Sequence, residues 1–335
     1  MAGNAPGARR AVLIVNLGKE SAAAAAAEIR GELEARGDEV SEFSFEGRPG
    51  PFPAGAWDIA FSLGGDGTAL YAARMLAGSG TPILPARLGT LGFLAGVGMG
   101  EWRGVYGQWL EGSARASRRC MFAVSVEREG RRAYSNTCLN DAVISSVGIA
   151  ALLRLRVSAG GGGAGAGADL GCYRADGLVI ATPTGSTAYS MAAGGPIVDP
   201  EMEARIVSPI CPFSLSNRPL VLPSRQALRV DVERGQKGDA LLTIDGQDAF
   251  ALEGGDAIEV GHFPHPALLL GSGSSAYYSA LREKLAWQGG GPGPAGEGAA
   301  RQGGSGAAGF GGEGGAARAG GALPGGGDFL GGADA

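Results

Sequence analysis

The stretch WDIAFSLGGDGT, residues 57–68, constrains this chain more than any other. Seven extended, mostly apolar residues, Trp57 to Leu63, run into two glycines, an aspartate, a third glycine and a threonine. A helix-forming run, TALYAARMLAGSG, follows. A buried strand that stops on glycines and restarts as a helix is the corner where α/β folds place ligands. Gly64 and Gly65 let the backbone approach phosphate closely, and free N–H groups at a helix start attract anions. Thr68 is placed to cap a helix over 69–77. Asp66 is the odd member, because it puts negative charge where phosphate would sit. As a cap it closes a tight turn. As chemistry it stands beside phosphate and a hydroxyl, to accept a proton or to help hold a divalent cation.

The surrounding chain suits that corner. AVLIVNL (11–17) and EVSEFSF (39–45) read as strands, and ESAAAAAAEIRGELEAR (20–36) as a helix ended by Gly37. TPILPARLG adds a strand and loop. This order predicts a doubly wound α/β unit to about residue 100. Past residue 115 come short strand-like runs separated by turns, from CMFAVSVERE to AIEVGHF. They predict an all-β unit interrupted by one helix near 187–193. The expected boundaries are 1–104 for an N-terminal α/β domain carrying GGDGT and 105–270 for a β-rich C-terminal domain. A C-terminal helix at 271–288 would pack back on the first domain. AGGGGAGAGA (159–168) reads as a flexible loop and 289–335 as a disordered Gly/Ala-rich tail.

Composition removes several classes. A net charge of −5 and a pI near 5.3 offer no basic face for nucleic acid. Cys120, Cys138, Cys172 and Cys211 form no CxxC pair, which argues against a zinc cluster or disulfide framework and for a reduced, cytoplasmic setting. The apolar run near the N-terminus is too short for a signal segment or a membrane span. The two histidines, His262 and His265, share one segment, GHFPHP, so proton chemistry would fall to a carboxylate. Gly160, Gly162 and Gly165 satisfy GxGxxG, but no helix follows to hold a pyrophosphate, and the match is set aside.

Two further clusters stand out. LNDAVI (139–144) sets Asn140, both donor and acceptor, beside Asp141, an acceptor pair. Such a pair reads a nucleobase edge or a ribose diol, or simply closes an Asx turn. YRADGLVIATPTGSTAYSMAAGGP (173–196) is a strand ending in Thr184, Ser186 and Thr187 at a short helix start, with Tyr189 presenting a flat face and Asp176 in the turn before the strand.

Together these stretches resemble the NAD kinase family. GGDGT, the Asn-acidic pair and DGLVIATPTGSTAYS occur in its order, and SPICPFSLSNRPLVLP (208–223) and TIDGQD (243–248) match further family segments. The resemblance covers about residues 11–285. It implies a Rossmann-like N-terminal α/β domain and a C-terminal β-sandwich domain that binds NAD. It implies transfer of the γ-phosphoryl of ATP, or of polyphosphate, to the 2′-hydroxyl of the adenosine ribose of NAD, with Mg²⁺ or another divalent cation. It also implies a homodimer or homotetramer in which a neighbouring subunit helps complete the site.

Carried over, the resemblance makes Asp66 the base facing the 2′-hydroxyl and puts Gly64, Gly65, Gly67 and Thr68 on the phosphates. Gly67 and Phe93 would line the NAD pocket, and Asn140 and Asp141 would hold the adenosine. Arg174, Asp176, Thr184, Thr187, Ala188 and Tyr189 would contact the dinucleotide, and no metal ligand is assigned. The chain departs from the family pattern at Arg87-Leu88-Gly89, where N-x-G is common, at Ala192, often Ser, and at Phe213, often His. GGDGT alone also occurs in lipid kinases and, loosely, in sugar kinases; these and a non-catalytic dinucleotide sensor are the alternatives.

Overall fold

The computed structural model describes residues 8–147, 152–160, 167–214, 216–235 and 239–285. Most of the 159–168 loop and the whole of the 289–335 tail lie outside the described residues.

The α/β half contains β1 (Arg10–Asn16), α1 (Ala22–Ala35), β2 (Glu39–Phe45), β3 (Ile59–Gly64), α2 (Asp66–Met75), β4 (Ile83–Arg87), the two-residue β5 (Val97–Gly98) and α3 (Trp102–Leu110). Strands β2, β1, β3 and β4 lie side by side in that order, all parallel. Every residue of β3 is buried, as a strand covered on both faces requires. Alternate residues of β1 and β3 feed two cores. Leu13, Val15, Phe61 and Leu63 meet α1 and α3 on one face, through Ile29, Leu33, Trp102 and Tyr106. Val12, Ile14 and Ala60 meet α2 on the other. The chain leaves β1 for β2 on one side and returns to β3 and β4 on the other. The crevice at the carboxyl ends of β1 and β3 is therefore a topological switch point, and GGDGT lies in it.

The β-rich half holds β6 (Ser117–Arg128), β7 (Arg131–Cys138), β8 (Asp141–Ser146), β9 (Leu153–Ala159), β10 (Ala168–Ala175), β11 (Gly177–Ala181), β12 (Ala204–Ile210), β13 (Leu220–Pro223), β14 (Leu228–Val232), β15 (Ala240–Ile244), β16 (Asp248–Leu252) and β17 (Ala257–Leu269). A 3₁₀ turn (Thr184–Thr187) and α4 (Tyr189–Ala192) follow β11, and α5 (Ser274–Lys284) closes the described chain. One sheet has the order β13-β12-β11-β8-β15-β16. It packs Ile144, Leu178, Ile180, Leu242 and Ile244 against Phe122, Val157, Val230 and Ile258 of the other sheet, giving a sandwich core. The long β17 pairs with β6 and β14 and ends beside β4, at Leu269 opposite Ile83, so one eleven-stranded sheet runs through both halves. No helix among the described residues is long and apolar enough to cross a membrane.

The α/β-plus-sandwich class is the expected one, and local differences have local causes. The helix after GGDGT begins at Asp66, with Gly65 as its N-cap, so Thr68 lies inside the first turn and caps nothing. The helix in 173–196 is a 3₁₀ turn followed by four α-helical residues. Helix α3 and strands β10, β12 and β16 were not expected. Gly104 and Gly107 weaken the propensity of α3, which Trp102 and Tyr106 hold by burial. Strand β12 carries Pro209 at an interior position opposite Leu178, and proline reads as a strand breaker.

Candidate active site

Asp66 stands at the first position of α2, half-buried, and its carboxylate turns away from its own helix. Oδ2 accepts the N–H of Phe93 at 2.9 Å; Oδ1 accepts those of Leu94 at 3.0 Å and Ala95 at 2.8 Å. Asp66 thus fastens the LGFLA loop to the glycine turn. The approach is close enough that a Cβ on Gly92 would meet Oδ1 at 1.8 Å, which explains the glycine there. A carboxylate offers two acceptor positions on each oxygen, so Oδ2 keeps one open. Phe93 is brought beside Asp66, and its ring meets Tyr277 of α5, with Lys284 Nζ 4.9 Å from its centroid. Gly65 adopts the extended N-cap conformation, while Gly64 packs against the Thr68 side chain.

A second aspartate repeats the device. Asp245, in the β15–β16 turn, accepts N–H bonds from Leu139 at 3.0 Å, Asn140 at 2.7 Å and Asp141 at 3.0 Å. The second and third sequence clusters meet on the same scaffold. The Thr182 N–H donates to the Asn140 carbonyl at 2.8 Å, and a Cβ on Gly185 would meet that carbonyl oxygen at 2.1 Å. Asn140, Asp141, Ala188, Tyr189, Asp245 and Gly246 line a cavity of about 390 Å³. Burial, and then the neighbouring Asp245 carboxylate, push the Asp141 carboxyl up to about 7, against a hydrogen bond from the Tyr189 N–H. Burial raises Asp245 as well, opposed by its three backbone donors and by the Arg74 guanidinium. Thr184 is buried with no partner for its hydroxyl, and the Thr187 hydroxyl donates to the Thr184 carbonyl at 3.3 Å.

The two assemblies are tied by Gln247. Its Nε2 donates to the Gly67 carbonyl at 2.7 Å, and its Oε1 accepts from Arg74 Nη1 at 3.2 Å. On the far side of this turn Gly67, Thr68, Arg74, Gln247 and Asp248 edge a second cavity, of about 520 Å³, under the 47–52 loop. Arg74, Asp245 and Gln247 were missed as site residues. TIDGQD was visible as a segment, but nothing local shows that Asp245 is aimed at the backbone of 139–141.

Arg174 and Asp176 do not join this group within one chain. In β11 the Asp141 end pairs at Ala181, whereas Asp176 precedes Gly177 at the opposite end. Six residues of extended chain separate Asp176 from Thr182, on the order of 20 Å. The Arg174 guanidinium lies over the Phe213 ring, 4.7 Å from its centroid.

Comparison with known proteins agrees with this arrangement. Residues 50–113 match the family model described as the ATP-NAD kinase N-terminal domain, and residues 165–270 the one described as the ATP-NAD kinase C-terminal domain. The chain is 37% identical over 282 residues to an NAD kinase of Treponema denticola, covering 84% of this chain and 97% of that protein. It is 41% identical over 230 residues to an NAD kinase of Geobacter sulfurreducens, covering 69% and 78% respectively. It is similar in structure to a yeast NADH kinase complexed with NADH, with a TM-score of 0.73, 25% identity, and 85% of this chain and 89% of that one covered. It shares its fold with an NAD kinase from Archaeoglobus fulgidus in complex with ATP, with a TM-score of 0.63, 23% identity, and coverage of 82% and 98%. The chain belongs to the NAD kinase family.

Proposed function

We propose that the chain phosphorylates the 2′-hydroxyl of the adenosine ribose of NAD, with ATP as donor and Asp66 as the proton acceptor. The observation that carries this reading is the carboxylate itself: half-buried, pinned at a glycine turn at the switch point, with one acceptor position of Oδ2 open. The hydroxyl proton passes to Asp66 Oδ2 as the 2′-oxygen bonds to the γ-phosphorus. The bond from that phosphorus to the bridging oxygen breaks, and ADP leaves with the electron pair. Phosphoryl transfer is mostly positioning and charge stabilisation, so the rigid clasp on 93–95 matters as much as the base.

In this reading the 390 Å³ cavity takes the adenosine of NAD. Asn140 and Asp141 read its polar edge, Tyr189 offers a ring face, and Thr184, Thr187 and Ala188 border the phosphates. Gly64, Gly65, Gly67 and Thr68 form the phosphate turn, with Phe93 beside it. Arg174 and Asp176 come from a second copy of the chain in a homo-oligomer, because one copy cannot bring them to the cavity. The setting proposed is the cytoplasm. A Mg²⁺ ion keeps most of its shell as water and phosphate oxygen and asks for only one or two carboxylates. Asp248, on the wall of the second cavity, already accepts from the Tyr134 hydroxyl, the Asn136 amide and the Ala249 N–H, so such an ion would be held mainly by the donor's phosphates and water, where it would neutralise their charge.

The test is NADP formation by the purified chain given NAD, Mg²⁺ and ATP, with polyphosphate in a parallel tube. NADP phosphorylated at the 2′ position is expected from the ATP tube. No NADP from folded protein, with labelled phosphate appearing instead on a lipid or sugar acceptor, would overturn the reading.

A further inference from the structure

We infer that Tyr277 of α5 is a positioning residue for phosphoryl transfer: its ring aligns the loop that holds Asp66, and its hydroxyl aligns the turn that carries Thr184, Thr187 and Ala188. This rests on the reading above, in which Asp66 takes the proton of a hydroxyl on the dinucleotide that this turn borders.

The first observation is where the Tyr277 ring lies. The residue is 2% exposed, and its ring meets that of Phe93 with the centroids 5.9 Å apart. Lys284 is seven residues further along α5, on the same helical face, and its Nζ reaches the Phe93 ring too, 4.9 Å from the centroid. Ser272, just before the helix, donates its hydroxyl to the Leu94 carbonyl at 3.1 Å. Phe93 and Leu94 are the residues whose N–H groups donate to Asp66. The C-terminal helix and its entry residue therefore hold the loop that holds the carboxylate.

The second observation is where the Tyr277 hydroxyl goes. It donates to the Val198 carbonyl at 3.3 Å. Ser186 donates to the same carbonyl at 3.2 Å and accepts the Val198 N–H at 3.1 Å. Ser186 is fully buried inside the 3₁₀ turn, between Thr184 and Thr187. Tyr278 extends the grip by one residue, its hydroxyl donating to Asp199 Oδ2 at 2.7 Å. Two consecutive tyrosines thus grip Val198 and Asp199, and Val198 is fastened in turn to the 3₁₀ turn.

The third observation is the distance in topology that Tyr277 closes. Asp66 follows β3 of the eleven-stranded sheet, whereas the 3₁₀ turn follows β11 of the six-stranded one. A tyrosine has a rigid apolar body and a polar tip, so its two ends keep a fixed spacing. Transfer between bound groups depends on such alignment, and a misplacement of about 1 Å can cost about 10²-fold.

The experiment is steady-state kinetics of the full chain, varying NAD and ATP, on wild type, Tyr277→Phe, Tyr277→Leu, Gly92→Ala and the Gly92→Ala/Tyr277→Leu double variant. Tyr277→Phe keeps the ring and loses the hydroxyl. It is expected to raise KM for NAD at least about 3-fold, with kcat within about 2-fold of wild type. Tyr277→Leu loses both ends, so kcat should also fall at least about 10-fold. KM for ATP should stay within about 2-fold in both. The double variant should match the kcat of Gly92→Ala within about 2-fold, because the clasp through which the ring acts is already broken. A lower melting temperature with kcat and KM unchanged, losses that multiply in the double variant, or KM for ATP rising in step with that for NAD would each overturn the assignment. Should Tyr277→Leu not fold, Tyr277→Phe and Ser272→Ala carry the test, Ser272→Ala lowering kcat at least about 3-fold without raising KM for NAD. Hydrogen exchange without substrates separates the two readings. The amides of Phe93, Leu94 and Ala95 should exchange at least about 10-fold faster in Tyr277→Leu, or in Ser272→Ala in its place. Unchanged exchange would overturn the link. Faster exchange in a chain that makes no NADP would keep the link and remove the kinase reading instead.

Discussion

Two aspartates with the same hydrogen-bond pattern do different work. Asp66 and Asp245 each accept three backbone N–H groups, and each secures a loop at the candidate site. The sequence makes Asp66 conspicuous because glycines flank it. Asp245 is quieter, since an Asp-Gly pair between strands reads as an ordinary turn, and its φ of 50° fits that reading. Its consequence falls on Asp141, whose carboxyl rises from an ordinary 3.8 to about 7 through burial and then Asp245. A native pKa above the unfolded one means the native state holds a proton that the unfolded state has lost. The stability tied to that proton is complete below about pH 4 and is lost as pH rises through about 7. Asp141→Asn removes its share of the dependence and leaves that of Asp245. Denaturant midpoints of wild type and variant, compared from pH 5 to 8, should diverge with wild type weakening by up to about 2–3 kcal/mol. Parallel curves would contradict the buried pair.

At the scale of elements, the strand–turn–helix corner was legible because its signals agree: an apolar run, glycines, then helix formers. What the sequence conceals is the loop that comes back to it. The donors in LGFLA lie 27 to 29 residues beyond Asp66, and their backbone N–H groups carry no signature. Proline in β12 and glycines in α3 hid elements for the same reason, because tertiary burial outweighs local propensity there. The clasp makes a prediction. Gly92→Ala puts a methyl group where Asp66 Oδ1 now lies, so the carboxylate must leave 93–95. Turnover should fall at least about 10-fold, with a melting loss worth about 1–3 kcal/mol. Assayed beside wild type, an unchanged turnover would show that the clasp is dispensable.

At the scale of the molecule, one continuous sheet carries the glycine turn, and the second sheet lines the 390 Å³ cavity. Strand order puts the glycine turn at a switch point, and the β15–β16 turn reaches across to it through Gln247. The family likeness carries kinase chemistry; the geometry adds two cavities on either side of the 245–248 turn. Fold class followed from the rhythm of strands and helices, because that rhythm is local. The distance between Asp176 and the Asn140 cavity did not, because adjacency along a motif says nothing about which end of a strand faces the site. The measurement that tests the central claim most directly is turnover of Asp66→Asn, with NAD affinity and melting temperature recorded on the same preparation. An amide keeps the side chain's shape and removes the proton acceptor, but turns its NH2 against the Phe93 N–H, so its loss is read beside that of Gly92→Ala, which breaks the clasp and keeps the carboxylate. The account predicts a loss of at least about 10²-fold in turnover with NAD still bound and the fold intact. Turnover near that of wild type would contradict it.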